Sequence, residues 1–286
     1  MKIRHKKHTD ENFPVGSFLI RKDLRPLVMD YYRFARYGDD IADAPELDAA
    51  EKLRRLGEIE DVLYGKTADI PPELEPTDKL RNDFIRENLS FPLAGDLLTA
   101  FRRDAAGFEY QTWRQLTEYC SFSAVPVGRF MLAIHNENPS TYLPAAALCT
   151  ALQLVNHVQD IKYDAKFLKR VYIPSNLLKK YGVFPDDLLK DKEIPGLTRL
   201  KKAVLQKIKG LVKEAEILPS ILKSRGLKME IGVILSLTNI MIQKLEKADV
   251  LTNEVKLSGI DWIRSVVFGA AKGFFTRPKT LTTKGF

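Results

Sequence analysis

The 286-residue chain has only two cysteines, Cys120 and Cys149, both in apolar surroundings and neither in C-x-x-C or Cys/His spacing. That excludes a disulfide-stapled scaffold and a zinc ribbon, and both thiols are expected to sit reduced in a core. Long apolar runs are missing as well. Leu143–Val155 and Ile231–Leu237 are the longest, and both fall short of the roughly 18 residues that cross a bilayer. The first twenty residues have a basic start but no apolar segment behind it, so no secretory signal is expected. Sustained period-2 alternation, Asn-Gly or Asp-Gly hairpin turns and a G-x-G-x-x-G loop are all absent. These absences exclude an all-β fold and a dinucleotide-binding βαβ unit.

Acid is missing from both ends. Met1–His8 holds four basic residues and Arg264–Phe286 five more, so the ends carry more than the whole surplus of +8 and the body sums to about −1. A nucleic-acid partner is not expected, because phosphodiester-binding proteins spread Lys and Arg over a docking face of the fold. Basic ends suit an anionic membrane surface. The chain therefore reads as cytoplasmic and peripheral at the inner face of the membrane.

What the sequence does have is helical periodicity. Apolar positions recur at i, i+3, i+4 and i+7 in Leu24–Ala42, Ala49–Leu63, Thr77–Asn88, Gly95–Phe108, Trp113–His135, Leu143–Ala165, Leu200–Leu218 and Met229–Ala248. Proline and glycine punctuate the gaps. With short loops and no repeat, the expectation is one all-α domain over 1–286, a bundle of about eight to ten helices, with basic tails at 1–8 and 264–286. The first half of Leu143–Ala165 is apolar nearly all round and should run through the interior. Pro126 and Gly128 should kink or break Trp113–His135. Arg199–Lys228, with nine Lys/Arg against two Glu, reads as a solvated outer face. His157 is read as packed or exposed, and His135 as a helix end that touches solvent.

Two oxygen-rich stripes carry the chemistry. Asp39, Asp40 and Asp43 crowd a helix C-terminus, where both the dipole and mutual repulsion disfavour them; a bound cation would remove that penalty. Asn156, Asp160 and Asp164 follow i, i+4, i+8 at the polar end of the buried segment, placing three oxygen donors along one line. Facing carboxylates inside a bundle suit a hard ion such as Mg²⁺, which takes a few carboxylates together with water and phosphate oxygens. Arg36 beside the first stripe, Lys169 and Arg170 after the second, and Arg129 after the proline break are suited to a diphosphate.

In these motifs the sequence resembles the squalene/phytoene synthase family. The matching residues are Tyr32-x-x-x-Arg36-x-x-Asp39-Asp40-Ile41-Ala42-Asp43, Tyr119-Cys120 with Val127-Gly128, Asn156-x-x-x-Asp160-x-x-x-Asp164, and Arg170-Val171-Tyr172-Ile173-Pro174. Glu11–Ser17, Tyr119–Arg129 and Asn156–Asp160 are most similar to the bacterial hopanoid-pathway branch, the hydroxysqualene synthases. Gln159 stands where squalene and phytoene synthases more usually have Arg.

The resemblance implies an isoprenoid-synthase-type bundle with a central cavity. It implies presqualene diphosphate as substrate, its diphosphate bridged through Mg²⁺ to Asp39, Asp40, Asp43, Asn156, Asp160 and Asp164 and assisted by Arg36, Arg129, Lys169 and Arg170. Tyr32, Phe122 and Tyr172 would face the carbocations, and water capture would give hydroxysqualene without NADPH. Other enzymes of the hopanoid pathway are the implied protein partners. One rival keeps the fold but condenses farnesyl diphosphate head to head to presqualene diphosphate, squalene or a carotenoid precursor. A second is a non-catalytic helical membrane scaffold, which would be expected to have lost the acid stripes.

Overall fold

The computed structural model describes residues 20–276, and within them every regular element is helical. The Met1–His8 tail, the Glu11–Ser17 motif and the last ten residues lie outside the described residues. Helices α1 (Arg25–Asp43), α2 (Ala49–Leu63), α3 (Glu75–Arg86) and α4 (Pro92–Ala105) form the first half, joined by α6 (Val125–Ile134). Proline occupies the first turn of α1, α3, α4 and α6, where its missing N–H has no intrahelical partner to lose. These helices enclose one core, in which Phe34, Leu56, Leu80, Phe84, Leu98 and Phe130 are almost wholly shielded. Each such side chain contributes about 1.5–3 kcal/mol of burial. Tyr31 stacks on Phe130 at 4.0 Å between ring centroids.

The second core is built from α5 (Trp113–Ser123), α7 (Tyr142–Gln159), α9 (Ser175–Tyr181), α10 (Pro195–Ala215) and α12 (Arg225–Lys247), with Leu116, Leu154, Leu200, Val204, Leu205 and Met241 inside. Beyond an exposed first turn at Tyr142 and Leu143, α7 runs through the interior as expected from its composition, its buried side chains in the second core, and packs on α5, α6, α10 and α12. A Cβ on Gly128 would collide with Cys149 Sγ, so glycine sets the close approach of α6 to α7. Both cysteines are free, and Cys120 is buried.

Trp113–His135 breaks as expected, into two helices parted at Ala124 so that Pro126 falls in the first turn of α6. Three expectations are corrected. Leu143–Ala165 is not one helix, because α7 ends at Gln159 and a single turn, α8 (Ile161–Tyr163), leads into a π-helical segment Asp164–Leu168. Lys201 and Lys228, assigned to a solvated face, are buried; Lys201 pairs with Glu193 at 2.6 Å and also bonds Ala248 O, pinning the start of α10 to the end of α12. His135 is buried and donates from Nδ1 to Met131 O at 2.8 Å.

The C-terminal segment up to Thr276 is also more than a tail. Short α11 (Leu218–Ile221) precedes α12, and after it α13 (Gly259–Arg264), a π-helical stretch Ser265–Gly269 and α14 (Ala270–Phe275) pack along α12. Among the described residues no helix is long and apolar enough to cross a membrane.

Candidate active site

The first acid stripe forms as the sequence predicts. Tyr32, Arg36, Asp39 and Asp43 recur at i, i+4, i+7 and i+11 on α1 and therefore share a face. Arg36 reaches one turn ahead to Asp39 at 2.9 Å and Asp40 at 2.6 Å. Asp39 is raised to about 7, first by the protein packed around it and then by the carboxylate of Asp43, while Arg36 pulls the other way. About two-fifths of the Asp39 side chain still reaches solvent, so the group lies in an open recess rather than a sealed core. Asp40 has a similar exposure, and Asp43 is a quarter exposed.

The second stripe is built across a helix break. Although α7 ends at Gln159, Asp160 N–H still donates to Asn156 O and Asp164 N–H to Asp160 O, both at 2.8 Å. Those i→i−4 bonds keep the three side chains in line through the break. The π-helical turn that follows closes with Lys169 in the left-handed conformation, φ 56°, and both Lys169 and Arg170 N–H groups bond Asp164 O. A non-glycine residue at positive φ is strained. Its effect here is to reverse the chain so that Arg170 returns toward α1. There Arg170 pairs with Asp43, donates to Ala42 O at 2.7 Å, and reaches Asp104 O of α4 at 3.2 Å. One nearly buried guanidinium thus joins the ends of α1 and α4 to the segment after the second stripe.

Asp104 was not among the predicted site residues, and it proves central. Its two carboxylate oxygens accept from Tyr119 Oη at 2.6 Å and Tyr172 Oη at 3.0 Å. Burial raises it to about 6 against the opposing charge of Arg170 and the two phenol bonds. Its charge acts on Asp39, and Tyr172 in turn lies in the fields of Asp104, Arg170, Asp164 and Asp43. The two stripes are related through Arg170, whose backbone N–H bonds Asp164 O at 3.0 Å while its guanidinium pairs with Asp43.

His157 stacks on the Tyr172 ring at 3.8 Å, and burial with the nearby Arg170 charge lowers it to about 3, so it is a neutral packed ring as expected. Tyr110, 5.3 Å from Tyr119, completes the aromatic cluster, its hydroxyl buried and without a hydrogen-bond partner among the described residues. The only local sign of Asp104 in the sequence is an acid in the last turn of a helix directly after Arg102 and Arg103.

The structure therefore brings together Arg36, Asp39, Asp40, Asp43, Arg170, Tyr172 and Asp164, with Asp160 and Asn156 half-buried along the line of Asp164. Tyr32 is half-buried on the shared face of α1. Arg129 is exposed on α6, where its charge acts on Asp96 of α4. Lys169 is exposed and its Nζ donates to Lys166 O at 3.0 Å. The face of Phe122 is covered by the Arg103 guanidinium at 5.2 Å.

Among the described residues no three Asp, Glu, His or Cys side chains converge closely enough to hold a metal ion by themselves. The donor set nonetheless fits Mg²⁺, which keeps several waters and is bound through one or two carboxylates per ion when a substrate phosphate supplies further oxygens. Burial first and the Asp43 carboxylate second raise Asp39, and a cation would relieve the repulsion between the two acids.

Comparison with known proteins decides the family. The squalene/phytoene synthase family matches residues 6–261. The chain belongs to that family. Its relatives include the hydroxysqualene synthase of Rhodopseudomonas palustris, 35% identical over 95% of this chain and 91% of that protein. That of Zymomonas mobilis is also 35% identical, over 95% and 90%. The phytoene synthase of Thermus thermophilus is more distant, 28% identical over 71% of this chain and 68% of that protein. Among solved structures, squalene synthase HpnC from Alicyclobacillus acidocaldarius superimposes with a TM-score of 0.67 at 28% identity, covering 81% of this chain and 88% of that one. The all-α isoprenoid-synthase bundle expected from the sequence is therefore the fold of this squalene/phytoene synthase family member.

Proposed function

We propose that the protein converts presqualene diphosphate and water to hydroxysqualene and diphosphate. The observation that carries this reading is the higher identity, over nearly the whole chain, to hydroxysqualene synthases than to a phytoene synthase. The two acid stripes linked through Arg170 support it chemically.

In this reading Asp39, Asp40 and Asp43 from α1 and Asn156, Asp160 and Asp164 from the α7 end hold Mg²⁺ with the diphosphate. Bound there, Mg²⁺ supplies Lewis-acid and charge neutralisation for the leaving group. Arg36 and Arg170, poised against the same carboxylates, take up diphosphate oxygens by charge-assisted bonds. The C–O bond breaks with its electron pair on the diphosphate, and the cyclopropylcarbinyl cation rearranges in apolar surroundings. Tyr32 on the α1 face offers its ring to the positive charge, and Tyr172 only the face that His157 leaves uncovered. Asp104 fixes the Tyr119 and Tyr172 hydroxyls and so holds those rings in place. Water adds to the rearranged cation and loses a proton, so no NADPH is consumed. The reaction class is that of a carbon–oxygen lyase.

A second reading, head-to-head condensation of two prenyl diphosphates by a prenyltransferase, has one observation in its favour: the solved relative at 28% identity is a squalene synthase. Incubation with Mg²⁺ and either presqualene diphosphate or farnesyl diphosphate, without reductant, separates the two by mass spectrometry of the products. Hydroxysqualene from presqualene diphosphate alone is expected. Turnover of farnesyl diphosphate to presqualene diphosphate would replace this reading with the second.

A further inference from the structure

The C-terminal helical run from Gly259 to Phe275 is packed inside out. Ser265, Gly269 and Gly273, spaced by four, face α12 and are buried. A Cβ on Gly232, Gly269 or Gly273 would collide with backbone across the seam, so the two helices meet backbone to backbone. Ser236 and Ser265 hydroxyls bond across it at 2.9 Å. With no room in the seam for large side chains, most of those on this run face outward. Ile260, Ile263, Val266, Val267, Phe268, Phe274 and Phe275 are all exposed, Ile260 and Phe268 at 69% and Phe275 at 78%. A helix stabilised only by its own fold would turn those residues inward and its glycines outward. So many large exposed apolar side chains on one short run mark a docking face.

Charge narrows the occupant. Arg264 and Lys272 are exposed on the same run, and from Arg264 to the end of the chain there are five basic residues and no acid. Asp261, the one acid of the run, is already tied to Lys244 and capped by Ser258. Large apolar side chains bordered by uncompensated Lys and Arg match an anionic lipid surface, where the rings enter the acyl boundary and the cations meet headgroups. We propose that residues 259–276 are a peripheral docking face for anionic membrane. The inference does not depend on the product assigned above. It places the enzyme where a diphosphate with a long hydrocarbon body and its oily product both partition.

The test is cosedimentation of the full chain with vesicles of phosphatidylcholine alone or of phosphatidylcholine with phosphatidylglycerol, alongside sedimentation velocity without lipid. Two variants are compared, Phe268→Ser/Phe275→Ser and Arg264→Gln/Lys272→Gln; these side chains are exposed, and unchanged circular dichroism confirms folding. The expected result is binding to the phosphatidylglycerol vesicles that each pair weakens about tenfold, the second pair also removing the preference for phosphatidylglycerol. Wild-type protein that ignores both vesicles, or variants that bind as well as wild type, would overturn the proposal. So would a dimer in solution that the Phe268→Ser/Phe275→Ser pair dissociates, because the occupant would then be a second copy of the chain.

Discussion

The two acid stripes are built by different means. On α1 an unbroken helix places Asp39, Asp40 and Asp43, and arginines hold all three: Arg36 from its own helix and Arg170 from far along the chain. At the end of α7 the helix breaks directly before Asp160, and two retained backbone bonds followed by a π-helical turn keep Asn156, Asp160 and Asp164 in line. Periodicity alone suffices for the first stripe. The second depends on tertiary structure, because the strained turn at Lys169 both closes the stripe and delivers Arg170 to the first one. Asp160 and Asp43 should thus be equivalent in catalysis but unequal in folding.

The sharpest contrast is in turnover. Asp160→Ala and Asp43→Ala should each lower kcat on the order of a thousandfold, the loss of several kcal/mol of leaving-group stabilisation, while circular dichroism stays unchanged for Asp160→Ala. Wild-type turnover by either variant would separate that stripe from the chemistry. Arg170→Leu should come next. It leaves Asp43 unpaired and strips a donor from the Ala42 and Asp104 carbonyls, and chemical denaturation should show a loss of roughly 3 kcal/mol. If Arg170→Leu left stability intact, the two stripes would be independent units.

Tyr172→Phe removes one of the two phenols that Asp104 accepts. It should cost about 1–2 kcal/mol in the same measurement, and a fall in kcat with little change in KM would mark Asp104 and Tyr172 as positioning the site rather than merely packing it. The smallest effect concerns Asp39, whose carboxyl is raised from its ordinary 3.8 to about 7. A folded-state acid held above its unfolded value binds more protons than the unfolded chain in that window, so stability falls as pH rises through it. In chelator, Asp39→Asn should therefore melt about 2–4 °C above wild type at pH 8, and the gap should close below pH 4, where both states of the wild type are protonated. A gap of the opposite sign would mean that Arg36 outweighs the crowding.

Much of this arrangement could be read from residues alone. Ala49–Leu63 was bounded as observed, and α1 to within one residue at each end, because an amphipathic repeat between prolines and turns needs no tertiary information. The expected starts of α4 and α10 are late by three and five residues, since Pro92 and Pro195 read as punctuation in the sequence while each is the first helical residue. Asp104 escapes because its meaning comes from Tyr119 and Tyr172, 15 and 68 residues away, and α4 itself marks it only as an acid after Arg102 and Arg103. The C-terminal helical run was read as a basic tail with apolar residues because its periodicity is inverted, glycine and serine facing the protein. Buried Lys201 was missed for a similar reason: its partner Glu193 lies outside the amphipathic window that made the segment look solvated.

The central claim is that the two stripes form one diphosphate site assembled with Mg²⁺. Calorimetric titration of the protein with inorganic diphosphate, with and without Mg²⁺, tests it directly on wild type, Asp43→Ala, Asp160→Ala and the double variant. The account predicts Mg²⁺-dependent binding that either single substitution abolishes and the double variant cannot weaken further. Binding that survives in one single variant, or losses that simply add in the double variant, would contradict it and leave two separate anion sites.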